Sequence, residues 1–165
     1  MKKNKLLTIL YVAGLLFLPA LTFSQNTSTA GTAASTLQNP AAFTGAPATL
    51  DSYKALYVVN SSDEKRVKAA FRNIRNALND PRLKGRLEVE LIVFGDGVEI
   101  YKLESPYRTA LEDLKERGVL LAQCENTLKE RGIGKSELYP FISFVPSGNG
   151  EIIIRQHQGW AVVYP

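Results

Sequence analysis

From residue 53 onward the hydrophobic positions change period repeatedly. Tyr53–Asn60 (YKALYVVN) and Leu87–Phe94 (LEVELIVF) are apolar, β-branched runs, the pattern of strands covered on both faces of a parallel sheet. Val119–Ala122, Phe141–Val145 and Trp160–Tyr164 predict three more. Between them the period lengthens. Ser61, with Glu64 three residues on, reads as a capping box. Val67, Ala70, Phe71, Ile74 and Leu78 then form one helical stripe, which Asn79-Asp80-Pro81 stops. Gly95-Asp96-Gly97 breaks the second strand, and a short helical turn is expected near Val98–Leu103. Ser105 is expected to cap a helix with Pro106 at its first position. Tyr107, Ala110, Leu111 and Leu114 would face the core, and Gly118 would end the helix. Glu125–Arg131 predicts a helix closed by Gly132, and Pro146–Gly150 a loop. Ile152-Ile153-Ile154 favours a strand by propensity. The interval 146–159 nevertheless has room for a parallel crossover, and Gly159 resembles a helix C-cap, so a helix is expected over 151–158.

Strands alternating with helices predict an α/β fold: a parallel sheet, helices on both faces, right-handed crossovers. Ligands in such folds bind at the carboxyl ends of the strands. Here those ends are Asn60-Ser61, Gly95-Asp96, Gln123-Cys124 and Pro146-Ser147.

The first 52 residues follow neither period. Lys2, Lys3 and Lys5 precede an apolar stretch from Leu6 to Leu18, then Pro19, with small residues Thr22 and Ser24 before Gln25. This is the pattern of a secretory signal peptide over 1–24, implying export to the periplasm or beyond. The stretch is short for a bilayer span of about 20 residues, so no stable membrane span is expected after cleavage; an uncleaved anchor is the alternative. No cysteine lies near it, so no lipoprotein-type anchor is expected. Residues 25–50 carry no charge and are rich in Ser, Thr and Ala. Such a segment buries too little apolar surface to offset its ordering entropy, and 25–52 reads as a disordered linker. The formal charge of +4 is misleading: without the three N-terminal lysines the 20 basic residues fall to 17, against 16 acidic. That balance gives no electrostatic basis for nucleic-acid binding.

Candidate chemistry is sparse. One cysteine, Cys124, cannot form an internal disulfide. It is a buried structural thiol, pairs with another chain, or works as a thiol. It follows a strand and opens a helix, and a helix N-terminus favours the thiolate. One histidine, His157, makes no ligand cluster with it for zinc or iron, and no nucleophile-elbow motif is present. Gly95-Asp96-Gly97 lacks the third glycine of a dinucleotide fingerprint and reads as a turn. No cofactor and no metal are expected.

The segments YVVNSSDE, VELIVFGDGVEI, RGVLLAQCENTLKERGI and FVPSGNGEIIIRQHQGWAVVYP, in this order, resemble the DsrE/DsrF-like family across 53–165. The resemblance implies a flavodoxin-like three-layer sandwich with a mainly parallel five-stranded sheet. It also implies homo-oligomers, commonly trimers or hexamers. Some members relay sulfur as a cysteine persulfide, and the matched cysteine is Cys124. The expected site is thus Cys124 as the catalytic thiol, with Asn60, Gly95, Asn126 and Thr127 as binding residues. The leading expectation is an exported protein that carries sulfane sulfur, or senses thiol redox state, with a sulfur donor or acceptor protein as partner. The alternative is a non-catalytic module that binds a small ligand or serves as an oligomeric subunit.

Overall fold

The computed structural model describes residues 40–165. The expected signal segment 1–24 and the expected linker up to residue 39 lie outside the described residues. The chain divides after Gly45. Before that point a short 3-10 turn, Pro40–Ala42, is formed.

Five strands follow: β1 (Tyr53–Val59), β2 (Leu87–Val93), β3 (Leu120–Cys124), β4 (Ser143–Val145) and β5 (Ala161–Val163). They pair in the order β4-β3-β2-β1-β5, every pair parallel. Four α-helices connect them: α1 (Glu64–Asn79), α2 (Arg108–Glu116), α3 (Glu125–Arg131) and α4 (Gly148–His157). A 3-10 helix, Gly95–Tyr101, precedes α2. The expected five-stranded α/β sandwich is therefore the observed fold.

Topology assigns the faces. From β1 to β4 each step moves the same way across the sheet, so right-handed crossovers put α1, α2 and α3 on one face. Their apolar stripes (Val67, Phe71, Ile74; Leu111, Leu114; Leu128) pack there against Tyr57, Leu91 and Leu121. Fully burying one such side chain contributes about 1.5–3 kcal/mol. The return from β4 to β5 beside β1 puts α4 on the opposite face. There Ile152 and Trp160 pack on Leu56, Val58, Ile92 and Ala122.

That second face also buries a charge. Glu90 is fully buried, and the Arg155 Nη2 of α4 reaches its Oε2 at 2.7 Å, while Arg155 Nε pairs with Glu151 Oε1 at 2.8 Å. The guanidinium also lies 4.3 Å from the Trp160 ring centroid. Burial raises the Glu90 carboxyl above its ordinary value, and the Glu151 charge adds to this; Arg155 acts the other way.

Three helix starts differ from the sequence expectation. The N-cap of α1 is Asp63, whose carboxylate accepts from the Arg66 N–H at 2.9 Å; Ser61 accepts instead from the Asp63 N–H. The charged oxygen is the stronger cap for the exposed N–H groups. α2 starts at Arg108 rather than Pro106, with Ser105 Oγ accepting from the Tyr107 N–H in a local turn. α4 starts at Gly148, inside the expected loop. Ser147 Oγ caps it by accepting from the Gly150 N–H at 3.2 Å, which outweighs the poor helix propensity of two glycines.

Residues 46–52, within the expected linker, form no helix or strand but are held by the domain. Arg82 Nη1 donates to the Ala46 carbonyl at 3.2 Å and Arg86 Nη1 to the Leu50 carbonyl at 3.1 Å. No helix among the described residues is long and apolar enough to cross a membrane.

Candidate functional site

Adjacent strands β3 and β4 send their helices to opposite faces: α3 leaves one way, α4 the other. A crevice opens between such diverging connections at the carboxyl edge of a parallel sheet. In this chain the crevice is a cleft of about 190 Å³ lined by Phe94, Gly95, Cys124, Asn126, Thr127, Glu130, Ser147, Gly148 and Asn149.

Cys124 ends β3, in register with Val145 of β4, and is the N-cap of α3. The residue is only 5% exposed, yet it lies at a cleft with a polar rim rather than in a sealed apolar packet. The thiol accepts no capping hydrogen bond from its own helix, as expected of so weak an acceptor. The thiolate is better served. Burial, the largest influence, raises the Cys124 thiol. Against it act the N–H groups of Thr127 and Gly148, the Thr127 hydroxyl and the Asn126 N–H, which together leave the thiol below its ordinary value. The groups that favour the thiolate therefore belong to both α3 and α4.

The supporting residues are fixed by close packing. The Gly95 N–H donates to Thr127 Oγ1, and Gly95 has φ +56°, a left-handed conformation that suits glycine. At Gly148 an added Cβ would lie 2.7 Å from Phe94 Cδ1. Only a residue without a side chain brings that N–H to the sulfur while the Phe94 ring stays in place. Beneath the site, the fully buried Gln123 donates from Nε2 to the Cys124 carbonyl at 3.0 Å. At the rim, Arg131 of α3 pairs with Asp96 at 2.5 Å.

Of the residues expected at the site, Cys124, Gly95, Asn126 and Thr127 line the one cleft. Asn60 does not. It lines a smaller cleft of about 80 Å³ at the ends of β1 and β5, with Arg66 and Tyr164, and approaches the Cys124 side only through its backbone carbonyl, near Gly95. The sequence reading did not assign Phe94, Glu130, Ser147, Gly148 and Asn149 to the site. The strand end Pro146-Ser147 was the signal for the last three. His157 is exposed at the end of α4, away from the cleft lining. Among the described residues no three His, Cys, Asp or Glu side chains are grouped to hold a metal.

The fold and cleft are those of a small α/β protein with a strand-end thiol. The chain matches the DsrE/DsrF-like family over residues 53–165 and belongs to it. A solved protein of unknown function from Methanobacterium thermoautotrophicum, MTH1491, is 31% identical, covering 68% of this chain and 99% of its own, with a TM-score of 0.65. A conserved protein of unknown function from Bacteroides thetaiotaomicron, BT1422, shares the fold at 14% identity and a TM-score of 0.57, covering 73% of this chain and all of its own. No curated protein matches significantly.

Proposed function

We propose that this protein is a non-hydrolytic sulfur carrier acting through Cys124. The observation that carries the reading is a strand-end sulfur that lines a cleft between the starts of α3 and α4, beside Asn126, Thr127 and Gly148. In the forward step the Cys124 thiolate attacks the outer sulfur of a donor persulfide R–S–SH. The donor S–S bond breaks, Cys124–S–SH forms, and R–S⁻ leaves with the electron pair. In the second step an acceptor thiolate takes that sulfur and the Cys124 thiolate is regenerated. With one cysteine in the chain, donor and acceptor are other molecules.

The test is mass spectrometry of the full chain after exposure to an organic persulfide. A gain of one sulfur on Cys124, removed by a small thiol and absent in Cys124→Ser, is the expected result. A folded chain that never takes up sulfur would leave the non-catalytic binding module as the reading.

Export and self-association belong to the same proposal. The signal pattern of residues 1–24 supports the first, and N-terminal sequencing of exported protein should begin near Gln25. Exposed Leu120, Ile153 and Ile154, on β3 and α4, support the second as surface to be covered by another copy. Light scattering at micromolar concentration should give a multiple of the chain mass, and a monomer would remove that part.

A further inference from the structure

We infer that Glu130 is a specificity-determining residue that makes the Cys124 cleft discriminate against anionic reaction partners. Of the nine lining residues, Glu130 alone carries a formal charge. Among the described residues no Lys, Arg or His lines the cleft. Of the cations nearby, Arg131 is paired with Asp96 and Lys135 with Glu125, and Lys129, the residue before Glu130, does not line the cleft. Glu130 itself takes part in no ion pair among the described residues and is exposed.

Position on α3 adds direction. Glu130 lies four residues beyond Asn126 and three beyond Thr127, so the three share one side of the helix. Side chains of an α-helix lean toward its N-terminus, which here is the Cys124 end. An incoming molecule thus passes a carboxylate before it meets the thiolate. For a dianion such as thiosulfate both encounters are repulsive, and no cation lining the cleft would stabilise the sulfite that must leave. A persulfide in its protonated form R–S–SH, the form the thiolate attacks, meets neither obstacle, and Asn126 and Asn149 offer it amide hydrogen bonds.

This selectivity serves the sulfur-carrier reading, but its test does not depend on it. Cys124 is the one cysteine, so alkylation of the full chain reports on one site. The rates with neutral iodoacetamide and anionic iodoacetate are compared in wild type, Glu130→Gln and Glu130→Lys. A change in thiolate fraction affects both reagents alike and cancels in their ratio.

At low salt the iodoacetamide-to-iodoacetate ratio is expected to fall about three- to tenfold in Glu130→Gln, the effect of one unit charge several ångströms from the path, and further in Glu130→Lys. About 1 M salt, where the screening length is about 3 Å, should bring wild type close to Glu130→Gln. A ratio that shifts by less than about twofold across the three proteins at low salt overturns the inference, as does a folded chain in which neither reagent reaches Cys124. A ratio that shifts as expected in a chain that never accepts sulfur would retain the charge filter and remove the sulfur-carrier reading. Sulfur uptake with an unmoved ratio would do the reverse.

Discussion

The Gly95 N–H donates to Thr127 Oγ1 at 3.0 Å, across 32 residues of sequence. The bond occupies a lone pair of a hydroxyl that is otherwise buried and leaves its proton free to point at the Cys124 sulfur. A turn after β2 thereby orients a group on α3 that favours the thiolate.

Thr127→Val is therefore expected to raise the pH at which the Cys124 alkylation rate reaches half its maximum. It should also cost roughly 1–3 kcal/mol, because the Gly95 N–H loses its acceptor. Thr127→Ser should restore most of both. A pH–rate profile and urea unfolding of the two variants provide the check. An unmoved profile in Thr127→Val would show that the hydroxyl does not serve the sulfur.

The same thiol should shape alkaline stability. Its folded value lies below its ordinary one, so between the two the unfolded chain binds more protons and stability rises with pH. The contribution is complete above the ordinary thiol value and is lost as pH falls through the folded value. Denaturation midpoints across that window should rise in wild type relative to Cys124→Ser. Parallel curves would mean that folding does not perturb the thiol.

Gly148→Ala tests the crevice by shape alone. The new methyl would sit 2.7 Å from Phe94 Cδ1, so the ring or the start of α4 must move, at a cost of about 1–3 kcal/mol. Because the Gly148 N–H moves with the helix, the thiol should become less acidic as well. Gly148→Ala combined with Phe94→Leu should recover part of the stability. If the single variant has wild-type stability and alkylation, the packing argument fails.

On the opposite face of the sheet from α1 to α3, removing Arg155 should be more damaging than removing Glu90. Arg155→Ala leaves a buried carboxylate without its cation, an arrangement that costs about 3–5 kcal/mol. Glu90→Gln leaves Arg155 still paired with Glu151. The pH dependence has a definite sign. Glu90 is held above its ordinary carboxyl value, so the folded chain binds that proton more tightly than the unfolded chain. Its contribution is most favourable below the ordinary value and declines as pH rises through the folded one. Arg155→Ala should steepen that decline, and Glu90→Gln should abolish it. Thermal unfolding from pH 4 to 8 separates these outcomes, and equal losses in the two single variants would contradict them.

Much of the fold was legible because its signals are local. The run LEVELIVF, the stripe Val67–Ala70–Phe71–Ile74 and the Gly132 C-cap each fix an element within a few residues. The α4 start was not legible, since Gly148 and Gly150 argue against a helix and the reason for Gly148 is a ring 54 positions earlier in the chain. The site shows the same division. Gly95, Asn126 and Thr127 adjoin Cys124 or a neighbouring strand end, and the strand-end rule found them. Asn60 obeys that rule too but sits beyond β2, two strands from β3. Strand order, which no short motif encodes, decides that it faces a different cleft.

The groups that favour the Cys124 thiolate are mostly main-chain N–H groups, those of Thr127 and Asn126 in α3 and of Gly148 in α4. Peptide groups are common to all residues, so substitution at Asn126 would leave its N–H in place. The capacity to hold a negative atom at this point is therefore inherited with the path of the chain, while the chemistry depends on one sulfur atom. A variant that replaces Cys124 would lose the sulfur and keep those peptide groups where they are, which makes the shape of the crevice a more durable character than the thiol it presents.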